Sequence, residues 1–154
     1  MNRPLDAGVR HQAVRGLQII WLAFIGSAAV YTLILMLLSL QGEAPENDVA
    51  DTLRPIFWIA AALLALASLI WRQQVADLDH RRQPTSTRGF ARLRVACIIT
   101  WSLCEAIAIL GIALGFITYQ FVDYFPFVVI AVTLLFVHRP TAWPIERFLR
   151  RELR

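Results

Sequence analysis

Residues 95–121 read VACIITWSLCEAIAILGIALGFITYQF, an apolar run interrupted near its middle by a single charged side chain, Glu105. The run is longer than the about 20 residues a helix needs to cross a bilayer. Its apolar residues come unbroken rather than at amphipathic spacing, which predicts a membrane-spanning helix over 95–120. An acid at the centre of such a helix costs roughly 2.5–3.5 kcal/mol on insertion. The rest of the chain accounts for membrane residence; Glu105 alone asks for a further reason.

Three more apolar windows stand at 17–40, 55–71 and 124–138. The chain has 154 residues, of which 58% are hydrophobic, and its mean hydropathy is +0.57. These values, with the long runs, predict an all-α polytopic membrane protein: a single domain over 1–154, folded as an antiparallel bundle of four transmembrane helices. The second and fourth windows are short for a full span. Leu53, Val75 and Leu78 lengthen the second, and Phe121 and Val122 the fourth. The first window is too long for the apolar part of a signal peptide and has no small-residue cleavage pattern after it, so it is expected to stay as a helix.

All 15 basic residues are arginines, and their placement says more than the net charge of +4. Arg3, Arg10 and Arg15 precede the first window. Arg72, Arg81, Arg82, Arg88, Arg92 and Arg94 lie between the second and third, and Arg139, Arg147, Arg150, Arg151 and Arg154 follow the fourth. Arg54 is the exception. The positive-inside bias then puts both termini and the middle loop on the cytoplasmic side of a bacterial inner membrane, with the acidic loop of Glu43, Glu46, Asp48 and Asp51 and the turn at Asp123 outside. Every arginine cluster abuts a span, where anionic headgroups account for it, so no nucleic-acid partner is expected.

The ends carry less. Leu5, Val9 and Ala13 share one helical face ahead of the first span. The 72–94 segment is expected to extend the second helix, break at Pro84 and restart near Ser86 or Thr87, either of which caps a helix. Over 141–154, Trp143, Ile145, Phe148, Leu149 and Leu153 stand near helical spacing opposite the arginines. This reads as an interfacial amphipathic helix whose Arg147, Arg150 and Arg151 meet lipid headgroups or a partner.

The third span carries a second signal. Cys97, Cys104, Ala108, Gly111 and Gly115 recur every three, four or seven residues and form a small-residue face along which another backbone can approach closely. Cys104, Ala108, Gly111 and Gly115 are the expected helix-packing residues, with Glu105 at the edge of that face. Cys97 and Cys104 stand about 10 Å apart along one helix, too far for a disulfide, and without a Cys/His cluster no metal is expected.

The run Leu93-Arg94, ten residues, then Glu105-Ala106-Ile107-Ala108-Ile109-Leu110-Gly111 resembles the proton-binding helix of the rotary ATP synthase proteolipid, the c subunit. Arg82-Gln83-Pro84 is similar to that family's cytoplasmic loop, on the side the charge bias makes cytoplasmic. The resemblance implies that Glu105 is a proton-binding carboxylate and that spans two and three form a hairpin. It leaves spans one and four without a counterpart, so the chain looks like a small bacterial four-helix membrane protein with a proteolipid-like segment.

Two functions follow as expectations. The first is an accessory or structural subunit of an inner-membrane complex, docked through Gly111, Gly115 and the tail onto other integral membrane subunits or onto itself. The alternative is a proton-binding or channel-like protein that uses Glu105. Desolvation favours the neutral form of a buried carboxyl, and no basic residue lies within a span to hold it ionised. Ser27, Tyr31, Thr32 and Ser68 are the candidate hydrogen-bond partners. Trp21, Trp58, Trp71 and Trp143 read as interface anchors and Trp101 as packing. His11, His80 and His138 fall in or beside cytoplasmic segments, which argues against a haem held between two histidines. Asp77 and Asp79, beside Arg72, Arg81 and Arg82, read as solvated ion pairs. With no nucleophile elbow, phosphate loop or zinc-ligand spacing, the chain is not expected to be an enzyme or to hold a cofactor.

Overall fold

A long apolar run has no water with which to satisfy its backbone, so it closes its own hydrogen bonds as a helix. The computed structural model describes residues 7–41, 48–81 and 87–140, with side chains placed over 15–40, 49–74 and 94–140. Among these the chain forms four helices and no strand: α1 (Ala7–Gln41), α2 (Asp48–Arg81), α3 (Thr87–Thr118) and α4 (Phe121–Val137). Three contain stretches long and apolar enough to cross a membrane: Arg15–Leu40, Val49–Gln74 and Arg94–Thr118. The fourth is a shorter apolar helix of 17 residues. The amphipathic tail expected over 141–154, with Arg147, Arg150 and Arg151, lies outside the described residues.

Helix boundaries depart from the apolar windows for local reasons. α2 runs through both Pro55 and Arg72, extending the 55–71 window at each end. Pro55 sits in the second turn, where its missing N–H forgoes one bond near the helix start. α3 stops at Thr118 rather than 120, because Tyr119 turns into the left-handed region with φ 52°. There its N–H donates to the Gly115 carbonyl at 2.8 Å. Glycine ordinarily fills this position, and tyrosine pays about 1–2 kcal/mol for it. α4 then begins at Phe121, three residues ahead of the 124–138 window, and ends one residue short of it.

Consecutive helices run in opposite directions. Trp21 near the start of the α1 span, Arg72 at the end of the α2 span and Trp101 in the first half of the α3 span all reach the last turn of α4. Arg54 reaches its first turn. α3 is the hub, packing against each of the other three, whereas α1 and α2 do not touch one another among the described residues. Trp101, Cys104, Ile107 and Leu114 of α3 and Tyr124, Phe127, Ala131 and Leu135 of α4 are fully buried.

The small-residue face of α3 is where α4 seats. A Cβ built on Gly111 would lie 2.5 Å from the Phe127 Cβ and 3.1 Å from the Tyr124 carbonyl oxygen. One on Gly115 would lie 3.0 Å from Leu35 Cδ1 of α1 and 3.0 Å from Tyr124 Cδ1. Cys104 and Ala108 continue the same buried face. The face is consumed within the chain, so the docking role expected of Gly111 and Gly115 toward another subunit has no surface left to use.

Gly111→Leu should destabilise the fold by at least the about 1–3 kcal/mol typical of overpacking, because the obstacle is another Cβ rather than a movable side-chain tip. Ile112→Leu, at a half-buried and volume-conserving position, should cost less than about 1.5 kcal/mol. Reversible denaturation in detergent micelles measures both, and equal tolerance would mean that α4 does not seat on this face.

Candidate functional site

Glu105 stands about halfway along the apolar stretch of α3, and Ser27 about halfway along that of α1. Since both stretches advance about 1.5 Å per residue in the same direction, the two side chains meet at one level. Ser27 Oγ hydrogen-bonds Glu105 Oε1 across the α1–α3 seam. It also lies 2.8 Å from the Phe24 carbonyl of its own helix. A hydroxyl has one proton to give. When that proton goes to Phe24, the link to Glu105 needs a neutral carboxyl donating to Ser27. When it goes to Glu105, the carboxyl is the acceptor and can be charged.

The other candidate partners are elsewhere. Thr32 donates to the Ala28 carbonyl and Ser68 to the Ala65 carbonyl, each within its own helix, and Tyr31 is exposed. Glu105 is only half-buried, and among the described residues its second carboxyl oxygen has no partner. One turn earlier, Ser102 is exposed and makes no hydrogen bond among them. With Val95, Ile99, Ile109 and Phe116 these residues form the outer stripe of α3. This stripe is left uncovered because α1 and α2 pack on either side of α3 without meeting.

A second polar constellation gathers at the arginine-rich end of the bundle. The last carbonyls of a helix have no partner within it and need one elsewhere. In α4 the Leu134 and Phe136 carbonyls accept from the backbone N–H groups of His138 and Arg139 at 2.8 and 3.2 Å, and those of Leu135 and Val137 are met by two other helices. Trp21 Nε1–H of α1 donates to the Leu135 carbonyl at 2.9 Å, and Arg72 Nη1 of α2 donates to that of Val137 at 2.6 Å. Just beyond the helix, Trp101 Nε1–H of α3 donates to His138 at 3.1 Å. Arg139 lies over the Trp21 ring at 5.8 Å. The reading of Trp21 as an interface anchor is thereby corrected: it is buried at 8% exposure and tied into the bundle. Trp58 and Trp71 do remain on the surface, Trp58 packing over Phe127 with ring centroids 4.7 Å apart.

At the opposite end Arg54 explains its own exceptional position. Arg54 Nη2 pairs with Asp123 in the first turn of α4 at 2.9 Å, and Nη1 with Asp51 at 2.6 Å. Asp123 is only 13% exposed and sits where the helix dipole favours an acid. The hint in the sequence was the coincidence of a lone arginine and a lone acid in the two segments assigned to the outer side. Cys97 is half-buried and Cys104 fully buried, both are free thiols, and no group of three or more potential metal ligands occurs among the described residues.

No protein-family model matches the chain, and no curated protein or solved structure matches it either.

Trp101→Phe keeps most of the buried ring but removes the donor to the His138 carbonyl, so it should cost about 1–3 kcal/mol, the penalty of an orphaned buried acceptor. Trp21→Phe should behave alike through Leu135. Trp58→Phe breaks no such bond and should stay within about 0.5 kcal/mol. Denaturant titration of the three variants in micelles checks the ranking, which a pure packing role for Trp21 and Trp101 would not produce.

Proposed function

We propose that this chain is an integral membrane protein of the bacterial inner membrane that serves as an accessory or structural subunit of a larger membrane complex. The observation that carries this reading is the half-open carboxyl of Glu105. It stands midway along its span, satisfied on one oxygen by Ser27, on a stripe of α3 that no other described helix covers. Acids within membrane spans face a bundle interior or a partner, because hydrocarbon offers them nothing. An uncovered one therefore points to a surface completed by another membrane subunit. The arginines at one end of the bundle, Arg15, Arg72, Arg94 and Arg139, orient that end and both termini toward the cytoplasm.

A second reading has its own support. The choice of acceptors at Ser27 lets Glu105 bind and release a proton while keeping its hydrogen bond, and the likeness of 93–111 to the proteolipid helix favours it. Glu105 would then be the proton-binding group of a small channel-like protein, with Ser27 following its charge state.

The two readings separate on Glu105. Glu105→Gln preserves shape and hydrogen bonding without ionising. In the subunit reading, particle mass in mild detergent exceeds that of the chain alone, and its loss on Glu105→Leu marks Glu105 as part of the docking surface. In the proton reading, Glu105→Gln assembles normally but abolishes activity, and carbodiimide modifies the wild-type acid. Glu105→Gln keeps the bond to Ser27, and in Glu105→Leu Ser27 still has the Phe24 carbonyl, so neither should lower the stability of the isolated chain by more than about 1 kcal/mol.

Reporter fusions at Asp48 and at the C-terminus should fall on opposite sides of the membrane. Finding them on the same side would overturn the orientation.

A further inference from the structure

Two arginines at the end of α4 are held in place by the fold and left without an anion. Arg72 of α2 gives one N–H donor to the Val137 carbonyl. An arginine has several more, and among the described residues those of Arg72 meet nothing, on a side chain that is exposed. Arg139, also exposed, is fixed over the Trp21 ring of α1, and its guanidinium makes no hydrogen bond or ion pair among the described residues. The ion pairs that do form among them, Arg54 with Asp51 and Asp123, lie at the opposite end of the bundle.

Between the two arginines ends an apolar stripe. Phe125, Val129 and Phe136 are exposed, and at spacings of four and seven they share one face of α4. α1 and α2 border α4 from different sides: Trp21 meets the Phe136 ring, whereas Trp58 packs on Phe127, half a turn round the helix. Because α1 and α2 do not touch among the described residues, no described helix closes over the stripe. Arg72 reaches the end of α4 from the α2 side and Arg139 from the α1 side, so their charges flank the stripe where it ends.

Depth and charge together name the occupant. A helix of 17 residues covers about 26 Å, less than a hydrocarbon core of about 30 Å, so its arginine end comes to rest no further out than the phosphate layer. A membrane lipid offers both parts the surface calls for. Its phosphodiester suits guanidinium donors, and its acyl chain suits the stripe. The headgroup has to be net anionic. A choline or ethanolamine would bring its own cation beside two arginines with no described carboxylate to receive it, whereas a glycerol headgroup adds no charge.

We propose that the arginine-rich end of α4 holds an anionic phospholipid, its phosphate between Arg72 and Arg139 and an acyl chain along Phe136, Val129 and Phe125. The site requires the bundle to stand in a membrane and does not depend on the subunit reading above.

The test uses the full-length chain in non-ionic detergent micelles, titrated with phosphatidylglycerol, with phosphatidylcholine of the same acyl chains, or with inorganic phosphate, and counts the lipid retained per chain by native mass spectrometry. Phosphatidylglycerol should bind about tenfold more tightly than phosphatidylcholine, the scale of one hydrogen bond to a charged group. Arg139→Gln, which breaks no side-chain hydrogen bond of the fold, should erase most of that preference with helix content unchanged. Arg72→Gln should act alike but also deprives Val137 of its donor, so Arg139→Gln is the deciding variant. Arg94→Gln, at an exposed position of α3 toward the same end, should leave the preference in place. Val129→Ser should weaken both lipids alike, since it touches only the acyl chain. Equal retention of the two lipids would overturn the proposal, as would a preference that survives Arg139→Gln. So would an equal loss from Arg94→Gln, which would reduce the site to diffuse attraction by clustered charge. Displacement of phosphatidylglycerol by an equal concentration of inorganic phosphate would make a soluble anion the occupant and overturn the lipid.

Discussion

The fold depends on how closely α4 approaches α3. Between apolar helices in lipid, hydrophobic burial gives little net drive, and what remains is van der Waals contact and hydrogen bonding. Both require the backbones to come near. At Gly111 there is no room for a Cβ in front of Phe127, and at Gly115 almost none between Leu35 and Tyr124. The two glycines bring α4 against the hub helix at a depth and angle that a larger residue would not allow. Tyr119 accepts an unfavourable left-handed turn to start α4 immediately after α3, and the contact made by every buried residue of α4 offsets that local cost.

Once α4 is seated, its brevity becomes a constraint on its neighbours. A helix of 17 residues spans only about 26 Å, so its last carbonyls come within reach of the neighbouring helices, and the Leu135 and His138 carbonyls are met by buried bonds. Unsatisfied, each would cost several kcal/mol in hydrocarbon. Trp21, Arg72 and Trp101 meet them, one from each of the other helices, while Arg54 and Asp123 hold the opposite end. The short helix thus ties all four together, even though α1 and α2 do not meet among the described residues.

Helix number and order were legible in the apolar runs, because unbroken hydrophobicity over such lengths has few other solutions. Gly111 and Gly115 were legible as a close-packing face; that their partner is α4 was not, since small-residue spacing marks a surface without naming what fills it. The roles of Trp21 and Trp101 were hidden for a related reason. An indole near a span end fits a headgroup belt or a helix cap equally well, and the distinction rests on where α4 stops. That stopping point depends in turn on a left-handed tyrosine, a position where sequence patterns anticipate glycine. Arg54 looked like a breach of the charge bias, and only the meeting of two outer-side segments shows that its charge is matched by Asp51 and Asp123. Glu105 stood out in the sequence, but its bond to Ser27 depended on the relative depth of α1 and α3, which local patterns do not encode.

Polar groups in this chain divide into two sets. At the ends of α4 the Leu135, Val137 and His138 carbonyls and the Asp123 carboxylate are paired with other helices, and disturbing those pairs should weaken the fold. Ser102 and the outer oxygen of Glu105 are unpaired among the described residues, and Ser27 already has a second acceptor in Phe24. A carboxyl whose removal costs the fold little is not explained by stability, yet its insertion penalty of roughly 2.5–3.5 kcal/mol must be offset somewhere. If the offset does not come from inside the chain, it has to come from whatever Glu105 meets outside it. The physical case for an intermolecular role therefore rests less on what Glu105 touches than on how little of its cost Ser27 recovers.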